Sequence, residues 1–106
     1  ANADLVKVAS QLKADSRYPI VVSSYLELAE PSIPGGARQC VAAGADRVLM
    51  MPYFLSAGSH VTDDLDRFRQ ELAHEYPTVE FRLCPPLGLH PLMLDIVYDR
   101  LVEGDE

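Results

Sequence analysis

Residues 47–61, RVLMMPYFLSAGSHV, decide the fold of this chain. The first half of the stretch, 47–54, is almost wholly apolar, which is typical of a strand that is buried on both faces. The second half carries Gly58, which permits a tight backbone turn, and then His60. Open α/β folds build their sites where parallel strands end, so this stretch predicts a buried strand and a site residue just beyond it.

Helix-like and strand-like segments alternate on both sides of this stretch. The predicted elements are a helix at 4–14, a strand at 19–25, a helix from Ser32 to Gly44, the strand at 47–54, a helix capped by Thr62 that ends before Pro77, a strand at 79–83 and a helix from Pro91. This alternation predicts an α/β three-layer sandwich, a parallel sheet with helices on its faces. Because α/β units normally begin with a strand and this sequence begins with a helix, we expect that a first strand is missing from it.

Helical spacing predicts which side chains the helices turn toward the core. The predicted inward stripes are Leu5, Val8, Ala9 and Leu12; Ile33, Ala37, Cys40 and Val41; Leu65, Phe68 and Leu72; and Leu94, Val97, Tyr98 and Leu101. Gly35 and Gly36 fall within the second helix, where they weaken its intrinsic stability. We expect both glycines on the surface of that helix.

Length and composition limit the possible classes of function. With 106 residues, 48% of them hydrophobic and 24% charged, the chain is predicted to form a single domain, 1–106. It has no signal-peptide pattern and no apolar run long enough to cross a bilayer, so no membrane partner is expected. A net charge of −7, with nine scattered Lys and Arg residues, argues against nucleic acid. Cys40 and Cys84 lack the spacing of disulfide or zinc sites and predict reduced thiols in a cytoplasmic protein.

Two polar side chains, Glu27 and His60, follow the first two predicted strands. In a parallel sheet both would emerge at the same carboxyl edge. An imidazole is mostly neutral near pH 7 and can bind a metal ion or accept a proton, and a carboxylate can do the same for a hard or borderline cation. The pair therefore predicts a metal-handling site. On the residues alone, a solvated or capping His60 and an exposed strand-end Glu27 remain open alternatives.

The other candidate residues favour structural interpretations. We predict a helix-start carboxylate at Glu30, a cap or packing role for His90, a solvated His74, and core packing for Met50 and Met51. Arg38 and Arg47 are conceivable contacts for an anionic ligand, but neither is assigned to that role.

Three motifs together resemble one known family. They are residues 25–34, YLELAEPSIP, residues 52–61, PYFLSAGSHV, and residues 85–92, PPLGLHPL. In this order and at this spacing they are similar to the small sirohydrochlorin chelatases, the single-domain members of the class II chelatases. The resemblance covers nearly the whole chain and implies a chelatase-like, flavodoxin-like α/β lobe.

The resemblance also implies a reaction. It implies insertion of Co²⁺ or Fe²⁺ into sirohydrochlorin with release of two protons, toward cobalamin or siroheme. The metal would be a substrate, so no further cofactor is expected. The resemblance implies a homodimer, in which two copies replace the two lobes of longer relatives. It also implies that His60 is a metal ligand and that Glu27 is its acidic partner.

Two departures from the family pattern keep other interpretations in view. The family carries a His-Gly-Ser segment at the end of its first strand, before the helix that here starts at Asn2-Ala3, and that segment is absent from this sequence. Gly35-Gly36 stands where relatives usually have helix formers. The alternatives to an active enzyme are a non-catalytic carrier of metal or tetrapyrrole and a degenerate chelatase subunit that pairs with an active one.

Overall fold

The computed structural model describes residues 2–15, 17–27, 29–56, 58–88 and 90–106. Its elements, in chain order, are α1 (Asn2–Ala14), α2 (Ile33–Ala42), β1 (Arg47–Met50), α3 (Ser59–Glu75), β2 (Glu80–Leu83) and α4 (Pro91–Asp105). β1 and β2 pair in parallel, with α3 in the crossover between them. The predicted α/β class with a parallel sheet is therefore confirmed.

The core lies between the strand pair and the two helices α2 and α3. Val48 of β1 stands beside Phe81 of β2 in the parallel register, and both side chains are buried. Ala37 of α2 and Leu72 of α3 complete this cluster, and Leu72 is only 1% exposed. The predicted stripes of α2 and α3 are confirmed, because Cys40 and Val41 also pack against the cluster and Leu65 is buried.

The strands are shorter and less covered than predicted. β1 ends at Met50 rather than at residue 54, and Leu49 is 41% exposed. Burial alternates along both strands, as it does when helices cover only one face of a sheet. The prediction that this strand is buried on both faces was therefore wrong.

The predicted strand at 19–25 does not join the sheet. Among the described residues, its pairing is confined to a parallel bridge between Tyr25 and Ser32, where the Tyr25 N–H donates to the Pro31 carbonyl at 3.0 Å. A strand needs a neighbour for its backbone groups, and no described strand lies beside residues 19–24. The apolar side chains of this segment pack against α2 instead, where Val22 lies close to Gly36.

Local signals at α2 act as predicted, with one exception. The Ser32 hydroxyl caps the helix by accepting a hydrogen bond from the Gly35 N–H at 3.1 Å, and the chain leaves the helix through Gly44 at a φ of 103°. The exception is Gly36, which was expected on the surface but is buried. A Cβ there would overlap the Ser24 hydroxyl and lie 3.0 Å from Ser24 Cβ.

The first and last helices stand apart from this core. Neither α1 nor α4 packs against another described helix or strand, and the molecule extends 53 × 32 × 27 Å. The prediction that Leu94, Val97, Tyr98 and Leu101 of α4 face inward was wrong, because each is 48–61% exposed. On α1, Leu5, Val8 and Ala9 are half-buried, but Leu12 is exposed. Within the described ranges, no helix is both long and apolar enough to cross a membrane.

Candidate functional site

Two loops meet at the carboxyl edge of the strand pair. The chain leaves β1 at Met50 and β2 at Leu83, and the Cys84 N–H donates to the Met50 carbonyl at 2.8 Å. Further along, the Leu87 N–H donates to the Phe54 carbonyl at 3.0 Å. The two segments therefore run side by side beyond the ends of the strands, and the first of them leads into α3.

His60 lies in the first turn of α3. The helix begins at Ser59 after Gly58, so the prediction that Thr62 caps it was wrong: the Thr62 N–H already donates to the Gly58 carbonyl at 3.0 Å. The His60 side chain is exposed, and it makes no hydrogen bond or ion pair with any described residue. It is therefore available to a ligand. The small side chain of Ala57, next to Gly58 in the sequence, predicts room for a flat ligand, but Ala57 lies outside the described residues.

Glu27 lines an open cleft of about 390 Å³ in the segment before α2. The cleft is lined by Tyr25, Leu26, Glu27, Ala29, Glu30 and Ser32. The bond from Tyr25 to Pro31 closes the turn that forms it, and the Glu30–Pro31 peptide is cis. Glu27 is exposed and has no partner among the described residues. Its carboxylate can therefore accept a cation or a proton without first breaking an ion pair.

Glu30 is a candidate site residue that the sequence interpretation did not assign. It was predicted to be a helix-start carboxylate, and it lies two residues before Ser32, the N-cap of α2. It also lines the same cleft as Glu27. The two carboxylates are three residues apart in a turn rather than on a helix.

The structure leaves Glu27 and His60 on separate segments. Within the part of the chain that the structure describes, no group of three or more His, Cys, Asp or Glu side chains is placed to hold a metal ion. The predicted shared edge depended on a sheet containing residues 19–25, and that segment does not pair with β1. What the structure provides is a pair of exposed donors, each on a loop or helix start, rather than a closed metal cage.

The other histidines behave as predicted. His90 is the N-cap of α4, where its Nδ1 accepts a hydrogen bond from the Leu92 N–H at 3.1 Å. His74 is exposed near the end of α3. Core packing is confirmed for Met50 and wrong for Met51, which is 48% exposed.

The two arginines considered as contacts for an anionic ligand form ion pairs with glutamates instead. Arg38 donates two hydrogen bonds to the Glu75 carboxylate, at 3.0 and 2.9 Å, and these bonds hold the pKa of Glu75 below its usual range. Arg47 stands at the opening residue of β1, the end away from the carboxyl edge, and lies 3.8 Å from Glu80. Neither arginine is at the edge that carries His60. Among the thiols, Cys40 is partly buried, which raises its pKa, and both Cys40 and Cys84 are free.

Comparison with known proteins links this geometry to one family. The CbiX family model matches residues 1–104. The chain is 38% identical to the chloroplastic sirohydrochlorin ferrochelatase of Arabidopsis thaliana, over 99% of this chain and 49% of that protein. It is 32% identical to the sirohydrochlorin cobaltochelatase of Priestia megaterium, over 100% of this chain and 34% of that protein. The chain thus spans about half, or about a third, of the length of these relatives.

Solved structures show the same fold. The sirohydrochlorin chelatase SirB from Bacillus subtilis subspecies spizizenii, in complex with cobalt, matches with a TM-score of 0.87 at 27% identity, over 97% of this chain and 44% of that one. A putative cobalamin biosynthesis CbiX protein from Marinobacter aquaeolei VT8 matches with a TM-score of 0.72 at 27% identity. That match covers 96% of this chain and 86% of the other, so a solved protein of similar length shares the fold.

Proposed function

This chain belongs to the CbiX family, and from that premise we propose that it is a metal chelatase that inserts Co²⁺ or Fe²⁺ into sirohydrochlorin. The observation that carries the proposal is its similarity, over 92% or more of its residues, to proteins named for both the cobalt and the iron reaction. Both metals accept imidazole and carboxylate ligands. The metal is a substrate in this reaction, and we propose no cofactor beyond it.

The proposed mechanism needs ligands that bind a metal weakly and a base that takes up protons. A divalent ion must lose bound water, meet the macrocycle nitrogens and displace two protons. A closed site of thiolates would hold the ion too firmly for transfer. Exposed, unpaired side chains suit the task better, and Glu27 and His60 both have this character. We assign His60 as the metal ligand and Glu27 as the acidic partner that shares the ion or accepts a pyrrole proton.

Glu30 extends this proposed site. Its carboxylate lines the cleft beside Glu27 and is likewise without a partner among the described residues. Two neighbouring carboxylates can serve different steps, one on the ion and the other on a proton. We propose that Glu30 assists Glu27 in this way.

We also propose that the single domain 1–106 works as a homodimer. Its accessible surface is 7914 Å², whereas a compact monomer of this mass exposes roughly 5,900 Å². The excess of about 2,000 Å² is in the range that a large subunit interface buries. The exposed stripe of α4 contributes apolar surface to this excess. A cytoplasmic location completes the proposal and is supported by the two free thiols, Cys40 and Cys84.

A carrier that binds metal or tetrapyrrole and hands it on is the second candidate. The absence of a three-donor metal cluster among the described residues favours it, because a catalyst must hold the ion through several steps. A degenerate subunit, active only beside a competent chelatase, is the third candidate.

One assay separates these candidates. Sirohydrochlorin and Co²⁺ or Fe²⁺ are mixed anaerobically, with and without the full-length protein, and insertion is followed by absorbance. Faster insertion over many equivalents of product establishes a chelatase. A spectral change that stops at one equivalent establishes a carrier and contradicts the proposed enzyme. Activity that appears only after an active chelatase subunit is added establishes a degenerate subunit.

A further inference from the structure

Three consecutive large apolar residues are exposed in the loop that follows β1. Tyr53 is 45% exposed, Phe54 39% and Leu55 65%, although Pro52 just before them is buried. Isolated exposed apolar residues are ordinary, but a contiguous group next to a candidate site marks a binding surface. The Tyr53 hydroxyl has no hydrogen-bond partner among the described residues.

The backbone that carries these side chains is held in place. The bond between Cys84 and Met50 fixes the start of the loop, and the bond from the Leu87 N–H to the Phe54 carbonyl fixes its middle. A Cβ on Gly88 would lie 3.8 Å from the Leu55 carbonyl oxygen, so the two loops remain in close approach there. The exposed rings are therefore presented by an anchored segment, which lowers the entropy lost when a ligand binds to them.

This apolar surface is continuous in sequence with the proposed site. Residues 56–58 separate Leu55 from α3, and His60 lies in the first turn of that helix. A tetrapyrrole has flat apolar faces and charged groups at its rim. Aromatic rings bind flat conjugated ligands by stacking and leave the rim free for polar contacts.

We infer that Tyr53 and Phe54 form a stacking platform for the macrocycle while His60 receives the metal. This inference rests on the proposed function, because the macrocycle is the ligand that the proposed reaction supplies. The platform holds the substrate, and the protons and the metal ion are handled by His60 and Glu27. Platform residues therefore affect the affinity for the macrocycle and leave the affinity for the metal unchanged.

The test is a titration of metal-free sirohydrochlorin, followed by absorbance, with the wild-type protein and the Tyr53→Ala/Phe54→Ala double variant. We expect the Kd of the macrocycle to rise at least ~10-fold, about 1.4 kcal/mol, in the double variant. In the insertion assay we expect KM for the macrocycle to rise similarly, with KM for the metal unchanged. Tyr18→Ala is the matched control, since Tyr18 is also 39% exposed and belongs to a different part of the chain, just before the segment at 19–25.

Circular dichroism and light scattering establish whether the double variant keeps its fold and oligomeric state. An unchanged Kd in a folded double variant overturns the platform, and if the wild type still inserts metal, the proposed function stands without it. A weakened Kd that accompanies loss of oligomers also overturns the platform, because the rings then serve a subunit interface. If the wild type binds the macrocycle through these rings but never inserts metal, the platform stands and the proposed enzyme fails.

Discussion

At the scale of single residues, Gly36 shows how close two segments of this chain approach. Gly36 lies in α2 against the segment at 19–25. Ser24 Cβ and Val22 Cγ1 of that segment are 3.0 and 3.4 Å from the position that a Cβ on residue 36 would occupy. The Ser24 hydroxyl can rotate away, but Ser24 Cβ is bonded directly to the backbone and can move only with it. Glycine is thus required here by packing, despite its weak helix propensity.

We expect Gly36→Ala to destabilise the protein. Overpacking costs about 1–3 kcal/mol, and the better helix propensity of alanine offsets about 1 kcal/mol of it. A net loss of roughly 1 kcal/mol would lower Tm by about 4–8 °C for a domain of this size. Gly104→Ala in α4 is the control, because no atom lies within 4 Å of the new Cβ, and its Tm should equal or exceed the wild-type value. A Gly36→Ala protein as stable as wild type would show that the segments do not pack in this way.

The pair of Arg38 and Glu75 predicts a pH dependence at the same scale. Hydrogen bonds from Arg38 lower the pKa of Glu75 in the folded protein. A carboxyl group with a lowered pKa adds stability above its unfolded pKa and loses it as the pH falls through the folded value. Glu75→Gln should therefore lower Tm slightly near pH 7, and this difference should vanish as the pH falls below 4.5, the ordinary glutamate value.

The expected difference is small and salt-sensitive because both side chains are about half exposed. Asp95→Asn removes one negative charge from a residue without an ion pair in the described ranges, and controls for net charge. If the Tm difference for Glu75→Gln persists unchanged in acid, a role for the ionised pair is excluded.

At the scale of elements, two hydroxyl residues that look alike in sequence differ in role. Ser32 caps α2, whereas Thr62 lies inside the first turn of α3. Ser32→Ala should cost about 1 kcal/mol in the free energy of unfolding measured with denaturant, because the Gly35 N–H loses its acceptor. Thr62→Ala removes no cap and should change that free energy by less than about 0.5 kcal/mol. Equal losses in both variants would contradict the helix boundaries.

Elements whose signals are local could be predicted from the sequence, and those that depend on distant partners could not. Ala37, Val48 and Leu72 were expected inside because periodicity alone identifies an apolar face. That same periodicity does not identify what covers the face, so the stripe of α4 was expected inside and is exposed. The segment at 19–25 is as apolar as a buried strand. A strand forms only where its backbone pairs with another strand, and the sequence of the segment itself does not show whether such a partner is present.

In the candidate site, too, local features could be predicted and contacts with distant segments could not. Glu27 and His60 were expected to follow predicted strands, and both are exposed beyond apolar segments. Their shared edge was an inference about tertiary pairing, and the structure leaves them on separate segments. Glu30 was predicted only to be a helix-start carboxylate. Its place in the cleft could not be predicted, because it depends on how the turn closes at Pro31.

At the scale of the whole molecule, the exposed stripe of α4 predicts self-association. Leu101 is 61% exposed, the most exposed residue of that stripe. Leu101→Asp places a charge in the proposed interface and should shift the protein from dimer to monomer in light scattering at micromolar concentration. Asp99→Asn changes charge on the same helix without removing apolar surface, and should stay dimeric. A wild-type monomer would contradict the homodimer, and a dimeric Leu101→Asp variant would place the interface elsewhere.

The central claim is that Glu27 and His60 carry out metal insertion, and the most direct test is the insertion rate of their alanine variants. In the anaerobic absorbance assay with the full-length protein, His60→Ala and Glu27→Ala should each reduce the rate more than ~10-fold. His74→Ala, which removes an exposed histidine from the other end of the same helix, should leave the rate unchanged. Wild-type rates in both the His60→Ala and Glu27→Ala variants would contradict the claim.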